Sequence, residues 1–274
     1  MTVTDVLSVN GVDLAWHEWG TGRTLLLCHG FTGSSHDFSL HTEALAATRR
    51  VVTLDQRGHG KSTNTHDAST YTMDQLVSDL TTFMEKVGGG PIDLLGHSMG
   101  GMVVMRAALA RPDLINSLIL MDTSAWSARP LDKASQDLVT QFLAVFDPER
   151  GMSLGLNFRA PEDDLIETAT SPEWRAEKDE MFLSVDAYAY KALGSQLFND
   201  RAISVRAELP RITCPTTVLV GELDHPFVDQ SEALASEVAH GQLVVIPGAY
   251  HSPQLTHQAE WRAEVEAHLA RVAP

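Results

Sequence analysis

Ile92-Asp93-Leu94-Leu95-Gly96-His97-Ser98-Met99-Gly100-Gly101 decides how the rest of this chain is read. An apolar run stops at Gly-His-Ser-Met-Gly and continues into the helix-like Met102-Val103-Val104-Met105-Arg106-Ala107-Ala108-Leu109. The pattern is a strand, a very tight turn and a helix, with one serine at the apex. Gly96 and Gly100 leave room for a turn that forces the apical residue into an unusual backbone conformation and keeps neighbouring side chains off its hydroxyl. Ser98 is then exposed as a nucleophile at a helix N-terminus, where unpaired N–H groups and the helix dipole favour developing negative charge. The Met99 N–H is the natural oxyanion donor. Gly-x-Ser-x-Gly also arises by chance in glycine-rich loops, so the strand-turn-helix setting matters. An acid and a histidine further along, in that order, are what the motif still needs.

Outward from this turn, residues 6–9 and 12–16 alternate about Asn10-Gly11, a two-residue hairpin signal. Residues 24–28 form a continuous apolar run, a strand buried on both faces as in a parallel sheet. It ends in His29-Gly30-Phe31-Thr32-Gly33-Ser34-Ser35, where an open α/β sheet carries its ligand-binding loops. The next strand, 50–54, runs into Asp55-Gln56-Arg57-Gly58-His59-Gly60-Lys61-Ser62. A phosphate loop needs a glycine further upstream and a helix directly after Lys-Ser. A polar loop follows instead, so Asp55 and Arg57 are expected to pin the segment by charge-assisted hydrogen bonds. Residues 72–87 read as an amphipathic helix capped by Thr72. After the Ser98 helix, 117–121 is another buried strand closing on Asp122.

From Ser124 to about Val205 the strand rhythm breaks into charged helical segments punctuated by Pro130, Pro148, Pro161 and Pro172, which suggests a helical cap inserted over the sheet. The run Glu177-Lys178-Asp179-Glu180 reads as a solvated helix face. The sheet resumes at 216–220, followed by Gly221-Glu222-Leu223-Asp224. A last strand, 242–246, ends at Pro247-Gly248-Ala249-Tyr250-His251-Ser252. Each puts a polar residue just past the carboxyl end of a buried strand, and Asp224 and His251 are the awaited acid and base. Residues 254–272 read as one closing helix. The whole is an α/β fold with a mostly parallel central sheet of about eight strands flanked by helices. Its core comprises 1–123 and 206–274, and its cap 124–205.

The 274 residues carry a net charge of -16, which argues against nucleic acid or anionic membrane partners. No apolar run approaches the ~20 residues of a membrane helix, and no charged-then-apolar leader opens the chain. A soluble, cytoplasmic protein is expected. Cys28 and Cys214 sit beside apolar runs as small buried residues outside any redox or metal spacing. The 12 histidines form no His-x-x-x-His or comparable cluster, and no metal or organic cofactor is expected.

The chain resembles the α/β-hydrolase fold family. The resemblance rests on His29-Gly30-Phe31, the Asp55 to Ser62 segment, Gly96 to Gly101, Gly221 to Asp224 and Gly248 to Ser252, all in the family's order. It implies Ser98 as nucleophile, His251 as general base, Asp224 as its orienting acid, and the Phe31 and Met99 N–H groups as the oxyanion hole. Asp122 is the alternative acid, since some family members resembling this one use that position. His97 is expected to be structural, its side chain turned away from that of Ser98 and into packing. Tyr250 stands where many relatives have a small residue. Candidate pocket residues are His29, Gly30, Trp126, Phe142, Tyr188 and Tyr250.

A serine at the apex sets the chain apart from the aspartate-nucleophile branches that look like epoxide hydrolases and haloalkane dehalogenases. The resemblance implies a serine hydrolase of carboxylic esters or lactones, with a small to medium apolar small-molecule substrate under the cap. A second reading is a hydrolase of carbon-carbon bonds in vinylogous diketones, which a basic residue such as Arg129, Arg159 or Lys191 facing Ser98 would favour. A third is a hydrolase-like ligand-binding protein with little turnover. Oligomeric state is left open by the sequence.

Overall fold

The computed structural model describes residues 5–127, 133–145, 152, 153, 156, 159–199, 204–225 and 227–272. Eight strands form one sheet in the order β1-β2-β4-β3-β5-β6-β7-β8. They are β1 (Asp5–Val9), β2 (Val12–Trp19), β3 (Thr24–Cys28), β4 (Arg50–Leu54), β5 (Ile92–His97), β6 (Ile115–Met121), β7 (Thr216–Gly221) and β8 (Gly241–Ile246). The β1/β2 and β2/β4 pairs are antiparallel, while every pair from β4 to β8 is parallel. The first pair follows from Asn10 and Gly11, whose φ values of 47° and 80° fit the hairpin turn that twists with its strands.

The α-helices are α1 (Thr42–Leu45), α2 (Met73–Val87), α3 (Met99–Ala110), α4 (Lys133–Val145), α5 (Asp163–Ala169), α6 (Pro172–Leu183), α7 (Ala187–Asn199), α8 (Phe227–Glu237), α9 (Pro253–Thr256) and α10 (Gln258–Arg271). Thr72 caps α2 by accepting the Gln75 N–H. Successive side chains of a strand face opposite ways, so β3 divides its residues between two cores. Leu26 and Cys28 join Leu80, Phe83, Val103 and Leu234 from α2, α3 and α8 on one face of the sheet. Leu25 and Leu27 join Leu45, Trp261 and Val265 from α1 and α10 on the other. This two-sided burial is why the central strands carry unbroken apolar runs.

Two expectations change. The closing helix is two helices, α9 and α10, with His257 between them in a non-helical conformation (φ -125°, ψ 54°). β8 is an edge strand, not a buried one: it pairs on one side only, and its Leu243 and Val245 are exposed. Pro172 opens α6 at its first turn, where its missing N–H has no partner to lose. Pro130 and Pro148 lie outside the described residues. Between β6 and β7 the described residues contain the four helices α4 to α7 and no strand. Among the described residues, no helix is long and apolar enough to cross a membrane.

Candidate active site

The parallel strands end on one edge of the sheet, and three chemistry-bearing side chains follow them. Ser98 directly follows β5 and has φ 52° and ψ -118°, a conformation that L-residues rarely adopt. The turn is held by close backbone approach: a Cβ at Gly100 would run into the Cys28 and His29 carbonyls, and one at Gly96 into the backbone of Gly100. Backbone contacts on both sides keep the strain in place. The Ser98 N–H donates to the Met121 carbonyl at 2.9 Å, and the Thr123 hydroxyl to the Ser98 carbonyl at 2.6 Å. The Ser98 side chain makes no capping bond to α3. The first N–H groups of α3 therefore receive no cap from this side chain.

His251 and Ser98 line one cavity of about 470 Å³. His251 Nδ1 is 2.8 Å from Asp224 Oδ2, so the imidazole donates from Nδ1 and leaves Nε2 as the free acceptor. Burial alone would depress the His251 pKa. The charge and hydrogen bond of Asp224, with a contribution from Glu162, outweigh burial and raise it above its usual value. Burial pulls the Asp224 carboxyl the other way, yet the neighbouring His251 holds it below the ordinary carboxylate range.

Asp122, with φ 45°, lies beside this pair. Its Oδ1 accepts the Gly221 N–H at 2.8 Å. One ligand atom each from Asp122, Asp224 and His251 lies within 4.8 Å of the others. That is also a donor set for a metal ion, but His251 and Asp224 already spend two of those atoms on each other. Burial and the adjacent Asp224 charge raise Asp122 well above the carboxylate range. Two buried carboxyls this close cannot both ionise cheaply, which disfavours a charge on Asp122 beside Asp224.

The other candidate pocket residues divide. Gly30 and Phe31 line the cavity, with the Phe31 ring stacked on Tyr190 at 5.0 Å. His29 does not line it. Its Nε2 accepts the Gln56 N–H at 2.9 Å and its Nδ1 bonds the Gly30 carbonyl at 2.8 Å, tying the β3 loop to the β4 loop. Trp126 is turned into the core beneath Arg206, 4.8 Å from its ring. Tyr188 also packs against the core, and Tyr250 is half-buried away from the cavity wall. Aromatic character marked these residues out, and it is satisfied by packing. The Phe142 side chain lies outside what is described. His97 is buried and structural, but it does not turn away from the site: its Nε2 bonds the His251 carbonyl at 2.7 Å, and its ring lies 4.8 Å from that of His251. Burial, and then His251, lowers its pKa to about 3, so it stays neutral.

The front wall comes from the inserted helices and is charged where the sequence suggested apolar residues. Arg159, Glu162, Asp163, Glu167, Arg175, Lys178 and Asp179 line it beside Leu156, Ile166 and Phe182. The run 177–180 is therefore not simply a solvated face. Lys178 bonds Asp37 of the core at 2.7 Å, and Glu177 lies 3.5 Å from His36. Trp174 of the same helix stacks on His36 and donates to the Ser39 hydroxyl at 2.8 Å. Sequence reading missed Glu162 altogether. Following Pro161 and preceding two aspartates, it resembles an ordinary acidic helix start, and nothing local marks it as buried. Asp55 behaves as expected, accepting the Ser35 and Lys61 N–H groups at 2.7 and 2.8 Å, while Arg57 forms a two-bond pair with buried Asp79. Cys28 and Cys214 are free, and burial pushes their thiols up to about 12 and about 11.

A parallel sheet with a strained serine turn at its carboxyl edge is the arrangement of the α/β hydrolases. The chain belongs to that family: the model for the alpha/beta hydrolase fold matches residues 23–258. A thermophilic esterase from Thermogutta terrifontis is 28% identical with a TM-score of 0.78, covering 98% of this chain and 97% of that one. Proline iminopeptidase of Heyndrickxia coagulans is 25% identical over 263 residues, 90% of this chain and 91% of that protein. Bifunctional epoxide hydrolase 2 of Sus scrofa is 32% identical over 126 residues, 46% of this chain. The chain spans only 23% of the length of that last relative. Hydrolases, esterases among them, are thus this chain's relatives.

Proposed function

We propose that this protein hydrolyses carboxylic esters or lactones through Ser98, His251 and Asp224. The observation that carries the reading is the strained Ser98 facing a cavity it shares with a His251 whose Nδ1 is bonded to Asp224 at 2.8 Å. In this mechanism His251 Nε2 removes the Ser98 proton as Oγ attacks the carbonyl, and Asp224 holds the tautomer and stabilises the imidazolium. The oxyanion is met by the Met99 and Phe31 N–H groups, each worth ~3 kcal/mol in the transition state. The imidazolium protonates the leaving alcohol. Water, deprotonated by the same histidine, then releases the acid. The inserted helices serve as the cap over the pocket, with 124–205 as its extent.

The cavity wall tempers the substrate reading. Arg159 and Lys178 both reach it, but Arg159 is paired with Asp164 and Glu167, and Lys178 with Asp37. Acidic side chains outnumber basic ones along the wall. Arg175, the third cation on the wall, bonds the Glu167 and Thr170 carbonyls and is the one group there that suits a dienoate carboxylate; Lys191 is not among the wall residues, and Arg129 lies outside the described residues. Short neutral esters or lactones suit this lining better than long acyl chains. The test is initial-rate hydrolysis of p-nitrophenyl acetate, butyrate and octanoate by wild type and Ser98→Ala. Turnover that falls with chain length and vanishes in the variant supports the reading; absence of Ser98-dependent turnover rejects it.

A further inference from the structure

One buried carboxylate in the cavity has no role in the chemistry above. Glu162 stands at the start of α5, is only 8% exposed, and reaches from the insert to the core. Its Oε2 accepts the Ser252 N–H at 2.9 Å and its Oε1 the Ser252 hydroxyl at 2.8 Å. Ser252 is the residue after His251 and the cap of α9, which packs against α5. A second bond, from Gln258 Nε2 to the Ala169 carbonyl at 3.0 Å, fastens the far end of α5 to α10. The segment bearing His251 is thus held from the core by Asp224 and His97, and from the insert by Glu162.

We propose that Glu162 is a positioning residue for the base, holding the His251 segment through Ser252 and keeping a negative charge beside the imidazole. This rests on the reading of His251 as general base. A residue that only fastened the insert would bond a surface group far from the reacting atoms. Glu162 instead spends both carboxylate oxygens on the residue next to the histidine, within the same cavity as Ser98. The charged and titratable groups around His251 are Asp224 after β7, Asp122 after β6, His97 at the end of β5 and Glu162 from the insert, while Phe227 of α8 covers the ring at 5.1 Å. Of these, the Asp224 and Glu162 carboxylates are the groups whose charge favours the imidazolium.

The test titrates His251 directly, by NMR of 15N-histidine-labelled protein, in wild type, Glu162→Gln and Glu162→Asp, alongside the pH profile of kcat/KM on p-nitrophenyl acetate. Loss of a nearby anion lowers a histidine pKa. Glu162→Gln is expected to lower the His251 midpoint, and the acid limb of kcat/KM with it, by roughly half a unit, with kcat down about tenfold and KM changed less than about twofold. Glu162→Asp restores most of the midpoint. An unmoved midpoint with a raised KM overturns the proposal and makes Glu162 a fastening of the insert alone. If Glu162→Gln does not fold, Ser252→Ala keeps the charge and removes one bond: a fall in kcat with the midpoint unchanged supports the proposal, and unchanged kcat overturns it. Wild type lacking Ser98-dependent turnover would retire the ester reading, whereas the NMR midpoint would still decide the role of Glu162.

Discussion

The two walls of the cavity are built differently. The back wall rests on backbone: Ser98 stands at positive φ just after β5, and behind the lining residues Asp122 stands at positive φ after β6 and Asp224 follows β7 with its N–H bonded to the Gly221 carbonyl. The front wall is side chain: Arg159 and Glu162 come from the segment before α5 and Arg175 and Lys178 from α6, held in turn by Glu167, Ser252, the Thr170 carbonyl and Asp37. Backbone strain held between packed strands does not relax, and suits groups that must stay within a few tenths of an ångström of a reacting carbonyl. Long charged side chains adjust, and suit the choice of what enters. Under the proposed mechanism, reactivity belongs to the back wall and selectivity to the front.

The largest effects are expected at the back. Ser98→Ala and His251→Ala should each lower kcat on p-nitrophenyl acetate by about a million-fold, measured as initial rates. Asp224→Asn should cost about ten-thousandfold by favouring the wrong histidine tautomer, while Asp122→Asn, at a carboxyl whose charge is already disfavoured by burial and Asp224, should cost no more than a few-fold. The same assay with the order of those two variants reversed would break the assignment of the acid. Asp122→Asn also sharpens the comparison, because it replaces that carboxyl by a neutral group of the same shape while leaving Asp224 alone.

The buried histidines of the core carry a pH signature in stability. Burial lowers His59 and His97 to about 3 and His41 and His268 to about 4. Their folded values lie below the unfolded value of about 6.5, so the stability they contribute is present above that pH and lost as pH falls through the folded values. Tm measured by calorimetry should therefore drop progressively from about pH 6.5 downward. His251, raised instead, should set the acid limb of kcat/KM above the ordinary histidine range if it is the base. The smallest effect is expected at the front: Lys178→Met, which frees Asp37, should change KM for short esters about threefold and leave kcat nearly untouched. A large kcat loss there would erase the distinction between the walls.

The sequence carried the back wall because its signals are local. Apolar runs four to six residues long, each ending in a glycine, histidine or aspartate, mark strand ends directly, and Gly96 and Gly100 mark a turn that tolerates no Cβ. The front wall depends on how helices pack across large sequence separations, 141 residues for Lys178 with Asp37 and 138 for His36 with Trp174. Nothing in Pro161-Glu162-Asp163-Asp164 distinguishes the glutamate that is buried from the aspartates that are not. Aromatic residues misled for a related reason: Trp126 and Tyr188 are attractive as pocket linings, yet a large apolar ring is equally well satisfied by the core.

The most direct test of Ser98 as the nucleophile is covalent. Treatment with an alkyl fluorophosphonate, followed by intact-mass and peptide mass spectrometry, should give a single adduct on Ser98, absent from Ser98→Ala and formed far more slowly in His251→Ala. An adduct on another residue, or none under conditions that label a known serine hydrolase, would contradict the account.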